Sequence, residues 1–288
     1  MLEPAEISLV QAFRMVYSRF EYLLGGKTMK HTYGRIKLAL ASAALLITPN
    51  LASASVNLQT DDFVGISFWL ISMAMIATTV FLLMESSRVK GKWKTSLNVS
   101  ALVTLIAGVH YFYMRDVWIT EQATPIVYRY IDWLITVPLQ MVEFYLVLAA
   151  ITVVSGGIFW RLLIGSFVML IAGYCGEAGY VNPMLGFIIG MAGWAYILYE
   201  IFMGEASQVA AEQGSDGVQS AYSTMRWIVS IGWAIYPIGY FMGYFTGAGP
   251  EASANSLNII YNLADVINKI AFCLVIWHIA VTESEKEA

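Results

Sequence analysis

The sequence predicts an all-α fold, a bundle of seven transmembrane helices. Three observations lead there. Of 288 residues, 58% are hydrophobic and only 12% are charged, whereas soluble domains carry roughly 25% charged residues. The apolar residues gather into seven stretches, each long enough for a helix across roughly 30 Å of hydrocarbon. Several ionisable residues still fall inside those stretches, where something must offset their burial. A transmembrane β-barrel would show short alternating segments instead.

Residues 1–28 precede a second methionine, Met29, and carry no recognisable function. From Met29 the chain reads as a secretory signal peptide over residues 29–54. Lys30, Arg35 and Lys37 form its positive region, Leu38–Ile47 its short apolar core, and Ala52-Ser53-Ala54 its cleavage site. That core is too short to span a bilayer. The helical domain is then 55–288.

The first span is expected over Phe63–Met84 and the second over Thr95–Met114. Between them, Arg88, Lys90, Lys92 and Lys94 mark a cytoplasmic connection. The third span covers Pro125–Thr152, the fourth Phe159–Gly176 and the fifth Pro183–Phe202. The sixth, Thr224–Gly247, contains Pro237, which frees a backbone carbonyl and lets the helix bend. The seventh, Ser256–Val281, holds Lys269 near its middle. An exported N-terminus and seven spans put the C-terminus in the cytoplasm. Short connections and the lack of an internal repeat speak against an inverted-repeat transporter. No basic cluster suits nucleic acid. Cys175 and Cys273 fall in apolar stretches, and no spacing suits zinc or haem.

The third span carries Arg129, Asp132, Thr136, Gln140 and Glu143 at steps of three, four, four and three, so all five share one stripe. Asp132 and Glu143 are eleven residues apart, roughly 16 Å along a helix axis. Asp132 lies nearer the outer face. In the seventh span Tyr261, Asp265 and Lys269 follow one another at four-residue steps on one face. A structural Asp265–Lys269 ion pair is one reading, although such pairs rarely improve on apolar packing. The other is an amine that condenses with a carbonyl ligand, with Asp265 and Asp132 as joint counterions. Trp133, and the face formed by Trp233, Tyr236, Pro237 and Tyr240, would flank a flat conjugated ligand there. The order inner acid, amine, outer acid defines a proton path directed outward.

Three segments together resemble the microbial rhodopsins, and within them the proteorhodopsins. They are Arg129-Tyr130-Ile131-Asp132-Trp133-Leu134-Ile135-Thr136, Gly232-Trp233-Ala234-Ile235-Tyr236-Pro237, and Asn262-Leu263-Ala264-Asp265-Val266-Ile267-Asn268-Lys269. The similarity runs from about Asp61 to the C-terminus. It implies all-trans retinal on Lys269 as a protonated Schiff base, in a bacterial inner membrane. It implies Asp132 as primary counterion and proton acceptor, Asp265 as second counterion and Glu143 as proton donor. Tyr111, Trp133, Met169, Trp233, Tyr236, Pro237 and Tyr261 match positions of the retinal pocket.

The Asp132, Thr136, Glu143 pattern fits outward proton pumps of the group. Gln140 matches the position that separates blue-absorbing members, with glutamine, from green-absorbing ones, with leucine. His110 matches a histidine that contacts the primary acceptor near a protomer interface. Phe187 fills the position where carotenoid-binding relatives have glycine, which argues against an antenna carotenoid. The resemblance also implies a homopentamer or homohexamer. Arg115 and Glu177 read as ordinary charge near membrane ends.

The expected function is a light-driven outward proton pump absorbing blue light. A slow-cycling photosensor is the alternative, although it gains nothing from the carboxylate at Glu143. A seven-helix receptor or transporter without retinal is a third reading, and colour on adding retinal separates it. An enzyme has little support, because no nucleophile–base pair or metal cluster stands outside this constellation.

Overall fold

The computed structural model describes residues 58–246 and 254–286. The extension 1–28 and the signal segment 29–54 lie outside the described residues.

Among the described residues, seven helices are long and apolar enough to cross a membrane: α1 Phe63–Glu85, α2 Trp93–Glu121, α3 Ile126–Ile151, α4 Gly156–Glu177, α5 Pro183–Gln213, α6 Asp216–Phe245 and α7 Ala254–Lys286. Successive helices pack side by side from α1 to α5, α6 touches α5 and α7, and α7 closes the ring against α1 and α2. Asp62 caps α1 by accepting from Gly65 N–H, Ser155 caps α4 through Gly157 N–H, and Asn182 caps α5 with Pro183 in the first turn. These caps satisfy amides that a helix start leaves open.

Several helices outrun the expected spans, two of them for one cause. The helix α2 runs on to Glu121 and α6 begins at Asp216, so each includes polar turns that an apolar criterion stops at. Arg115 therefore sits inside α2, buried, with its guanidinium 5.6 Å from the Trp69 ring. Its side chain is buried rather than exposed. In α5 the chain turns at Met203-Gly204 and resumes as the short helix Glu205–Gln213.

The approach of α4 to α5 is set by glycine. A Cβ on Gly193 would stand 2.7 Å from Met169 N, and one on Gly186 2.7 Å from Ala172 O. With little hydrophobic drive between helices in lipid, such close backbone contact is a main source of cohesion. Two wide π-helical turns, Ile228–Gly232 in α6 and Val266–Ala271 in α7, lie against each other. They fall at Lys269 and one turn before Pro237, and π-turns recur at functional sites.

Candidate functional site

The stripe on α3 faces the bundle interior, and Arg129, Asp132, Thr136, Gln140 and Glu143 are all buried. Lys269, from the π-turn of α7, is equally buried and forms ion pairs with both Asp132 and Asp265, the latter at 3.3 Å. One cation thus meets two carboxylates at a buried position. Such a group persists only when paired and hydrogen-bonded.

The two carboxylates are held differently. Asp265 accepts from Tyr111 Oη at 2.7 Å and from Tyr236 Oη. Asp132 bonds Lys269 through Oδ2, while its Oδ1 is buried without a hydrogen-bond partner. Thr136 turns its hydroxyl onto the Asp132 backbone carbonyl at 2.9 Å. His110 directs Nδ1 to Ile106 O at 2.8 Å, within its own helix. The orphaned Oδ1 of Asp132 shows that His110 is not hydrogen-bonded to that oxygen.

Arg129, one turn from Asp132, donates from Nη2 to Asn258 Oδ1 and Asn262 Oδ1, both at 2.8 Å. The Phe68 and Tyr261 rings lie 5.5 and 5.4 Å from its guanidinium. Its Nε and Nη1 have no hydrogen-bond partner. Glu143, three turns along α3 from Asp132, accepts from Ser100 Oγ at 2.7 Å and from Ser96 Oγ. Gln140 gives its side-chain amide to the backbone carbonyl of Asn268.

A cavity walled mainly by aromatic and other apolar side chains leads to Lys269, the composition usual for a small-ligand pocket. Trp133, Met169, Trp233, Tyr236, Pro237 and Tyr261 line it, with Gly173 and Phe187 farther along. Trp133 and Tyr236 meet edge to face at 5.1 Å, and Tyr236 and Tyr261 lie 5.5 Å apart. These walls fit a long, flat, apolar group attached at the lysine. Of the pocket residues expected from the sequence, Tyr111 stands apart from the lining and acts on Asp265 instead.

Several site residues were not foreseen. Ser96 and Ser100 are four apart on α2, and Asn258 and Asn262 continue the Asp265 face of α7 at helical spacing, so a search for any polar residue in register would have found them. Glu177 is another: Tyr130 Oη donates to it at 2.8 Å and Tyr244 Oη at 3.3 Å. It is half-buried and lines the cavity together with Tyr130 and Tyr240.

Fold and site define a seven-helix membrane protein built around a buried lysine with carboxylate partners. The chain belongs to the bacteriorhodopsin-like protein family, whose description matches residues 62–283. It is 54% identical over 251 residues to a blue-light absorbing proteorhodopsin of Gamma-proteobacterium Hot 75m4, covering 87% of this chain and 98% of that one. It is 53% identical over 249 residues to a green-light absorbing proteorhodopsin of Gamma-proteobacterium EBAC31A08, covering 86% and 99%. The crystal structure of blue light-absorbing proteorhodopsin from Med12 superposes with a TM-score of 0.66 at 53% identity, over 77% of this chain and all of that one.

Proposed function

We propose that the protein is a light-driven outward proton pump of a bacterial inner membrane, absorbing blue light through retinal. The observation that carries this is the arrangement around Lys269. Two carboxylates contact its nitrogen, and a third, Glu143, waits three turns along α3 on a separate pair of serines. When bound to Lys269 as a protonated Schiff base, all-trans retinal supplies light absorption and a change of shape at one double bond.

The remaining work falls to the chain. Asp132 takes the proton from the Lys269 nitrogen. Its unpartnered Oδ1 leaves a lone pair free for that proton. Glu143 then returns one proton to the same nitrogen, Asp132 gives its proton up to the outer side and Glu143 takes a new one from the cytoplasm, so the centre ends as it began. Asp265, fixed by two tyrosine hydroxyls, is the second carboxylate beside the nitrogen. Arg129, pinned by Asn258 and Asn262, stands next on the outward side of Asp132. The aromatic walls hold the ligand and exclude water, which strengthens each charge interaction inside.

Direction follows from topology. The basic connection between α1 and α2 favours the cytoplasm, which puts Glu143 on the cytoplasmic side of Lys269 and Asp132 on the outer side. A proton moving from Glu143 to Lys269 to Asp132 leaves the cell. Gln140 supports the blue colour, since near-equal identity to blue and green relatives leaves that choice to local residues. Lipid and neighbouring protomers of a homopentamer or homohexamer would cover exposed apolar side chains such as Trp160, Ile171 and Ile188. Phe187, tilted or edge-on to Tyr240, Phe241 and Phe245, stands where the family resemblance gives carotenoid-binding members a glycine, which argues against an antenna carotenoid.

The test is to express the chain from Met29 with all-trans retinal and illuminate unbuffered cells with blue light. Acidification of the medium, abolished by a protonophore, is expected. A coloured protein without a pH change would favour the photosensor, and no colour would remove Lys269 from its role.

A further inference from the structure

Each of the two π-turns frees a backbone carbonyl, and each freed carbonyl is taken by a side-chain amide. In α6, Pro237 has no N–H, and the Tyr236 N–H bonds Trp233 O at 3.1 Å instead of reaching back a full α-turn to Gly232. The Gly232 carbonyl then accepts from Asn268 Nδ2 at 3.0 Å. In α7, the Phe272 N–H bonds Ile267 O and Lys269 O, and the Asn268 carbonyl between them accepts from Gln140.

The second hydrogen of the Asn268 amide goes to Tyr236 Oη at 3.1 Å, and Tyr236 in turn donates to Asp265. Asn268 therefore joins three things: the bend in α6, the tyrosine on a counterion carboxylate, and, through its backbone, the α3 stripe. Its own Oδ1 is buried without a partner. That oxygen also explains Gly232, because a Cβ there would collide with it.

We infer that Asn268 is a positioning residue, a latch between the facing π-turns of α6 and α7 that passes the state of Asp265, through Tyr236, to the bend in α6. The physical basis is directional. Tyr236 has one proton and gives it to Asp265, so it must accept from Asn268. When the charge beside Asp265 changes, the hold of Asp265 on the Tyr236 hydroxyl changes, and the shared amide of Asn268 shifts its hold on the Gly232 carbonyl. The cytoplasmic half of α6 hangs from that carbonyl. This inference rests on the pump reading for its light-driven part, while the latch itself belongs to the unlit protein.

The experiment compares Asn268→Ala, Gly232→Ala and the double variant with the parent, each expressed with retinal. One readout is backbone hydrogen exchange over 228–236 and 266–272 in the dark. The other is the rate at which Glu143 returns the proton after a flash. Asn268→Ala is expected to raise exchange in the α6 segment about fivefold, the effect of losing one buried hydrogen bond, and to change the return rate by a similar factor. Gly232→Ala displaces the Asn268 amide and should reproduce both effects. In the Asn268→Ala background, however, adding Gly232→Ala should do no further harm, a non-additivity that a general loss of packing would not give.

Unchanged exchange in α6 with an unchanged rate would overturn the latch, as would strictly additive effects or a loss of thermal stability alone. Should Asn268→Ala fail to take up retinal, Gly232→Ala alone carries the kinetic comparison. Absence of colour in the parent would defeat the pump reading, and dark exchange would still decide on the latch.

Discussion

Ser100 donates its hydroxyl to Glu143 at 2.7 Å, three turns along α3 from Asp132. With Ser96 on the other oxygen, the carboxyl is held in one orientation on the C-terminal half of α3. A positioned acid contributes on the order of 10²–10⁴-fold to proton transfer. Glu143→Gln keeps the shape and both serine contacts but removes the titratable proton. The return of the proton to Lys269 is expected to slow by about a hundredfold at neutral pH, with the first release intact. Flash spectroscopy with a pH dye reads both, and an unchanged cycle would exclude Glu143 as donor.

Asp132→Asn removes the one carboxylate on α3 that touches Lys269 while Asp265 still pairs with it. The protein should remain coloured, because one counterion survives, but its absorption should move to the red. A negative charge near the nitrogen stabilises the ground state, where the positive charge is localised, more than the excited state. Pumping should fall to the level of cells without retinal. Acidification at the parent's rate would contradict the assignment.

Gln140→Leu tests colour from another direction. The Gln140 amide sits on the Asn268 carbonyl, next in sequence to Lys269. In a low-dielectric site such a dipole acts on nearby charge with little screening. Its loss should shift the absorption maximum to the red. An absorption spectrum of the purified variant suffices, and a blue shift or none would separate colour from this contact.

Much of this site was legible in the sequence because helical spacing is a strong constraint. Five polar residues at steps of three and four in an apolar run can only form a stripe, and Arg129 to Glu143 do so. The pairing of Lys269 with Asp265 followed from one turn of spacing. Contacts that depend on a partner helix were not legible. Nothing in the sequence says that Asn258 and Asn262 reach Arg129, or that Tyr130 and Tyr244 meet on Glu177. Backbone features were harder still. The π-turn at Val266–Ala271 leaves no residue signature, and Pro237 announced a bend in α6 without saying which amide would take the freed carbonyl.

Arg161 makes a stability prediction outside the site. It donates to Glu200 from Nε at 2.8 Å and Nη2 at 3.0 Å, and to Glu205 at 2.6 Å. The Glu200 side chain is 4% exposed, against 33% for Arg161 and 42% for Glu205. Arg161→Ala strands a buried carboxylate with little beyond the Ala206 N–H. The expected loss is about 1–3 kcal/mol, at the lower end because Arg161 is partly solvated. Glu205→Ala should cost under about 1 kcal/mol, since that pair is a surface one. The temperature at which colour is lost in detergent ranks the two, and the reverse order would contradict the burial argument.

Gly193→Ala probes the seam between α4 and α5 with a single methyl group. A Cβ at Gly193 would lie 2.7 Å from Met169 N and 3.0 Å from Gly165 O. Both are backbone atoms of α4, which no rotamer change can move aside. The helices must separate, weakening contacts along the whole seam, and overpacking of this kind costs about 1–3 kcal/mol. Met169 also lines the cavity, so the displaced backbone should alter the absorption spectrum by a few nanometres in an unspecified direction. Gly156→Ala is the matched control, because a Cβ there meets nothing within 4 Å. It should be neutral to within about 0.5 kcal/mol. Thermal loss of colour measures both variants. Equal stability of the two would mean that α4 and α5 are not held at the distance these glycines set.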